Sequence, residues 1–214
     1  MNPEPREHHL DHQGVDLAFF EWNPEARGSG PSLLLAHATG FHARCWDPVI
    51  ALLDPLHVIA TDARGHGRSA NPEITHWGVF GEDLAAVARY LGLERVVGVG
   101  HSAGGHALVD AAAACPGAFA RLLLIDPVIA PEESYQGPSA WGALPPGTLH
   151  PTAKRKNHFA SPEAMIERFE NREPYSLFTR EALEAYCRHG LVRAAEGDGF
   201  ELACPPTSEA SVYM

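Results

Sequence analysis

Four short apolar runs punctuate the first 130 residues: "SLLLAHA" from Ser32, "HVIATD" from His57, "RVVGVG" from Arg95 and "RLLLID" from Arg121. None alternates polar with apolar positions. Continuous runs of this length suit strands buried on both faces of a parallel sheet. Between them the period changes. In "GEDLAAVARYLG", Leu84, Val87, Ala88 and Leu91 recur at the i, i+3, i+4, i+7 spacing of one helix face, with Gly92 as a stop. "AGGHALVDAAAACPG" reads as an alanine-rich helix closed by Pro116 and Gly117. Strand and helix in alternation predict an α/β fold with a doubly wound, mostly parallel sheet. Ahead of it, "HHLDHQG" and "VDLAFFEWN" predict a hairpin turning at Gln13-Gly14.

From Pro131 the pattern is lost. "APEESYQGPSAWGALPPGTLHPTAKRK" is rich in proline, glycine and charge and reads as an excursion from the sheet. Two helices follow, one capped by Ser161 with Pro162 at its first position, the other running from Thr179 to a Gly190 stop. Only the weak "FELAC" resembles a strand afterwards. The expected organisation is a core over 1–130, an all-helical insertion over 131–203 and the start of a return to the core over 204–214. The apolar residues of the insertion are expected to pack. "AKRKNH", 153–158, is expected to be a solvated edge.

Charge and cysteines narrow the function. A formal net charge of -11 argues against nucleic-acid or anionic-membrane partners, which demand a basic face. No apolar run approaches the roughly 20 residues of a membrane span, and the polar, acidic start "MNPEPREHHLDHQG" is not expected to be a signal peptide. Cys45, Cys115, Cys187 and Cys204 are scattered, as reduced thiols of a cytoplasmic protein would be. No histidine falls in a metal-ligand spacing, so no metal and no cofactor is expected.

Each of the four runs delivers a polar residue at its carboxyl end, the side on which open α/β sheets bind ligands. These are His37, Asp62, Ser102 and Asp126. "GHSAG", Gly100 to Gly104, lies between a strand and a helix. It fits G-x-S-x-G, a sharp turn whose glycines admit close backbone approach and which presents the serine hydroxyl at a helix N-terminus. Ser102 is therefore the candidate nucleophile. An oxyanion would be held by the amide of the next residue, Ala103, and by one from the loop after the first buried strand, "HATGFHARCW". His37, Asp62, Arg64 and His66 are expected to brace these loops, and strand geometry is expected to turn His101 away from Ser102.

"HATGF", "DARGHGRS" and "GHSAGG", in this order and at these intervals, resemble the α/β-hydrolase family in its lidded, esterase-like branch. The likeness covers nearly the whole chain. It implies Ser102 as nucleophile, the amides of Ala103 and Thr39 as oxyanion hole, residues 131–203 as a lid, and a small acyl substrate. Ala38 departs from the glycine that many members carry. Serine at the elbow argues against the dehalogenases and epoxide hydrolases of the family, which carry aspartate there.

The resemblance implies the order Ser, acid, His. Asp126 is the candidate acid, against an acid further along. After His189 the chain holds no histidine. His150, His158 and His189 satisfy the order, but His189 closes a helix, where a cation is favoured by the dipole alone. The chain is thus expected to lack the last strands and the histidine of the fold. It reads as a serine esterase shortened at its C-terminus or, alternatively, as a non-catalytic binder of a small apolar ligand. The strand from Arg121 is then an unprotected edge through which the chain could self-associate.

Overall fold

A computed structural model describes residues 4–132 and 148–213; most of the 130–156 excursion lies outside them. The first part builds a six-stranded sheet from β1 (Arg6–His12), β2 (Val15–Trp22), β3 (Leu33–Ala36), β4 (Val58–Thr61), β5 (Val96–His101) and β6 (Phe119–Ile125). The strand order is β1-β2-β4-β3-β5-β6. All pairs among β3, β4, β5 and β6 are parallel, and β2 joins β4 antiparallel. The hairpin turns at Gln13 and Gly14, both with positive φ, as the sequence indicates.

The unbroken apolar runs divide between two layers by their period of two. Leu17, Phe19, Leu34, Ala36 and Ile59 meet α2 (Gly78–Tyr90) and α3 (Ala103–Ala114) on one face. Phe20, Trp22, Leu35, Val58 and Ala60 pack on the other face with Ala43 and with Ile50 of the one-turn α1 (Asp47–Ile50). Strand β6 is the sheet's edge, with Leu123 and Ile125 exposed among the described residues.

Residues 148–213 correct the all-helical expectation. Helices α4 (Pro162–Phe169) and α5 (Arg180–His189) are present, capped by Ser161 and Thr179. Beside them β7 (His158–Phe159), β8 (Leu191–Arg193) and β9 (Phe200–Leu202) form a second, antiparallel sheet in the order β7-β9-β8. Phe159, Met165, Phe169, Leu183, Tyr186, Leu191 and Leu202 share one core there. Strands of two or three residues are too short to show a period, and this sheet is held by its packing on α4 and α5. The chain then returns to the first sheet as α6 (Pro206–Val212), whose Val212 is buried in the α2/α3 core.

Candidate active site

The turn at Ser102 is as tight as its sequence demands. Ser102 has φ 53° and ψ -116°, a region costly to any residue but glycine. The turn closes because its neighbours have no side chain. A Cβ on Gly100 would sit 2.6 Å from the Gly104 carbonyl oxygen, and one on Gly104 would sit 2.4 Å from that of Ala36 and 2.5 Å from that of His37. The first turn of α3 is therefore pressed directly onto the backbone at the end of β3.

Loop 126–128 locks the other side. Ser102 N–H donates to the Ile125 carbonyl at 3.0 Å, and Val128 N–H donates to the Ser102 carbonyl at 3.2 Å. His106 Nδ1–H donates to the Val128 carbonyl at 3.0 Å, while Pro127 fills the space that a Cβ on Gly105 would need. Asp126, next to Ile125, is thereby fixed beside the Ser102 backbone at φ 43°.

The loop after β3 is held by two buried histidines. His37 Nδ1–H donates to the Ala38 carbonyl at 2.8 Å, and its Nε2 accepts from Ala63 N–H at 3.0 Å. His66 Nδ1–H donates to the Arg64 carbonyl, and its Nε2 accepts from Gly40 N–H, both at 3.0 Å. Each ring can serve both partners only when neutral. Burial, reinforced for His37 by the neighbouring His66, depresses the first well below its usual range, and burial brings the second to about 4. Asp62 accepts from the amides of Ala43 and Arg68 at 2.6 and 2.7 Å. Arg64 pairs with Asp83 through two bonds of 2.7 Å. The "DARGHGRS" residues brace loops, as the sequence reading has them.

With these supports the loop and the elbow come together. Thr39, His37, Ala103 and Gly104 line one cavity. Among the described residues neither the Ala103 amide, at the head of α3, nor the Thr39 amide, on the loop after β3, donates a backbone hydrogen bond outside the helices and strands. The ring of His101 lies edge-on to Phe41. No described histidine hydrogen-bonds Ser102 or Asp126. His150 pairs with Thr152 and stacks on Tyr213, His158 is exposed on β7, and His189 ends α5. Burial lowers His189 to about 4, against the dipole at this helix end.

A second group of residues escaped the sequence reading. Arg155 is turned inward, bonding Glu209 of α6 and the hydroxyls of Tyr175 and Tyr186, the latter two at 3.1 and 2.9 Å. "AKRKNH" is thus a solvated edge only at Lys154, Lys156 and His158. Glu209 packs on Gly40, where a Cβ would lie 2.8 Å from its Oε1. Trp77 Nε1–H donates to the Val212 carbonyl at 2.9 Å. The end of the chain thereby seats the Thr39 loop. Only the burial of a charge pair marks these residues, and nothing local in the sequence signals that. Trp77→Phe, which deletes one of these bonds, is expected to cost about 1 kcal/mol, read from the urea midpoint of the variant.

The model of the alpha/beta hydrolase family matches residues 33–209. A 2-(acetamidomethylene)succinate hydrolase of Mesorhizobium japonicum is 33% identical over 120 residues, 55% of this chain and 43% of that protein. A bifunctional esterase/perhydrolase of Acinetobacter calcoaceticus is 36% identical over 95 residues, 43% of this chain and 33% of that one. The match thus spans less than half of each relative. The crystal structure of E-2-(acetamidomethylene)succinate hydrolase superposes with a TM-score of 0.72 at 23% identity, covering 98% of this chain and 72% of that one. At that identity the likeness is one of fold. No helix among the described residues is long and apolar enough to cross a membrane.

Proposed function

Because this chain belongs to the alpha/beta hydrolase family, matched over residues 33–209, we propose that it is a serine hydrolase acting on a carboxylic ester or a similar small acyl substrate. The observation that carries this reading is the strained Ser102 turn, with two uncommitted amides beside it. In the proposed reaction Ser102 Oγ attacks the acyl carbon, and the carbonyl oxygen gains negative charge. The amides of Ala103 and Thr39 stabilise that oxyanion, helped by the N-terminus of α3. Asp126 is the acid that would orient a histidine, and residues 148–203, the described part of the 131–203 lid, cover the acyl group. His37 and His66 hold the Thr39 loop in place and take no part in proton transfer.

Ser102 in this chain has no histidine partner among the described residues, so we expect slow turnover. In a serine protease of this type, loss of the base removes about 10⁶ from turnover, and the oxyanion hole and binding preserve roughly 10³ to 10⁴ over water. The same observation favours a second reading, a binder of small apolar acyl compounds without turnover. A fluorophosphonate probe followed by tryptic peptide mapping separates the two. The expected result is phosphonylation on the peptide 96–121, faster than in the urea-unfolded chain and absent from Ser102→Ala. Labelling of that peptide no faster than in the unfolded chain would leave only the binding reading.

A further inference from the structure

At the opposite end of the sheet a second serine does have a histidine partner. Ser32, just before β3, lies 2.7 Å from Nδ1 of His57, just before β4. Nε2 of that ring lies 2.9 Å from Oε1 of Glu21 on β2. The other carboxylate oxygen of Glu21 is 3.1 Å from Nε2 of His8. A carboxylate only accepts, so Nε2 of His57 carries the proton and Nδ1 is left as an acceptor toward the Ser32 hydroxyl. The order is serine, imidazole base, carboxylate. A serine nucleophile is activated by an adjacent base that a third group orients, and this chain of bonds has those three parts.

The chain of bonds is built in. His57 is 2% exposed, and its carbonyl accepts Leu33 N–H at 2.9 Å, which fixes the spacing of Ser32 and the ring through the β3–β4 pairing. Ser32 itself is only partly covered, at the foot of the exposed segment 27–31. Gly28 and Gly30 there have open space where side chains would stand.

We propose that Ser32 is a second acyl-accepting serine, independent of Ser102, which takes an acyl group from small activated esters with His57 as base and Glu21 as the group that orients it. The Ser32 Oγ–acyl carbon bond forms as the acyl carbon–aryloxide bond breaks. The serine proton passes to His57 Nδ1, where the imidazolium is held against the Glu21 carboxylate, and the aryloxide leaves with its electron pair. Unlike at the elbow, no helix among the described residues starts at this serine. The expected outcome is accordingly slow transfer of one acyl group that stays on Ser32.

The probe is p-nitrophenyl acetate, applied to the Ser102→Ala chain so that the elbow contributes nothing, and read by tandem mass spectrometry. Ser29 and Ser32 share the tryptic peptide 28–44, and Ser29, exposed on the loop, serves as the internal control. Acetylation of Ser32 is expected to outpace that of Ser29 at least tenfold. In His57→Gln it should fall by roughly 10²-fold, the lower range for general-base assistance. Acetylation of Ser32 no faster than Ser29, or unaltered in His57→Gln, overturns the proposal. Should His57→Gln lose its near-ultraviolet circular dichroism, Glu21→Gln replaces it. An amide at 21 can donate to Nε2 and force the proton onto Nδ1, so the rate must again fall, and an unchanged rate is fatal. Because the two serines lie on different peptides, this result and that for Ser102 are independent.

Discussion

Replacing Gly104 by alanine is expected to cost more than about 4 kcal/mol, or to prevent folding, although the change adds one methyl group in a helix and alanine is the better helix former. The added carbon would lie 2.4 and 2.5 Å from two carbonyl oxygens at the end of β3. Neither can retreat, because Ala36 is paired to β4 and β5 on its two sides and His37 is anchored at both ring nitrogens. Two positions away the sign reverses. Ser102→Gly removes a side chain from a positive-φ position and is expected to leave stability unchanged or raise it by about 1 kcal/mol, while abolishing phosphonylation of peptide 96–121. Urea melts of both variants make the comparison. Equal losses would mean that the tight approach of α3 to β3 is not what the elbow glycines serve.

Acid is expected to destabilise the fold steeply between about pH 6 and pH 4. Four histidines resist protonation in the folded chain, chiefly through burial. His42 is lowered to about 3, His66 and His189 to about 4, and His37 lies well below 6.5. Their contribution is complete above the unfolded value of 6.5 and is lost as the pH falls, because the unfolded chain takes up protons that the folded chain refuses. Two carboxyls act in the opposite sense. Burial raises Asp47 and Asp62 to about 6, so the folded chain binds their protons first and gains stability as the pH falls from 6 towards 4. Four uptakes by the unfolded state against two by the folded state leave a net of two. The folded state therefore loses stability as the pH falls through this window. Urea midpoints at pH 7.5 and 5.0 test it. A midpoint that holds steady or rises at pH 5.0 would show that these rings are charged in the folded state.

What could be read from the sequence was what is local. Gly100, Ser102 and Gly104 lie within five residues, and their backbone demands are legible from type and spacing. The four parallel strands and the turn at Gln13-Gly14 were equally plain, because a buried run or a turn pair is a property of a few neighbours. The second sheet was not. Its strands are "HF", "LVR" and "FEL", shorter than any period, and they pair only because α4 and α5 give them a surface. Arg155 was misread for a similar reason. It sits between two lysines that do face water, and only the distant Glu209, Tyr175 and Tyr186 turn it inward. Ser32 and His57 drew no notice as a pair. Each begins an apolar run, and their meeting depends on β3 lying beside β4.

The seating of the Thr39 loop by α6 has a consequence for biosynthesis. Trp77 and the Val212 carbonyl are 135 residues apart, and Glu209 reaches Gly40 from the same helix. On a ribosome adding about 5–20 residues per second, the elbow and its loop are made many seconds before the helix that closes over them. During that interval the nascent sheet and loop have no Glu209 to rest on. A chain stalled before residue 206 should therefore be cut by protease near the Thr39 loop, and completing α6 should protect it.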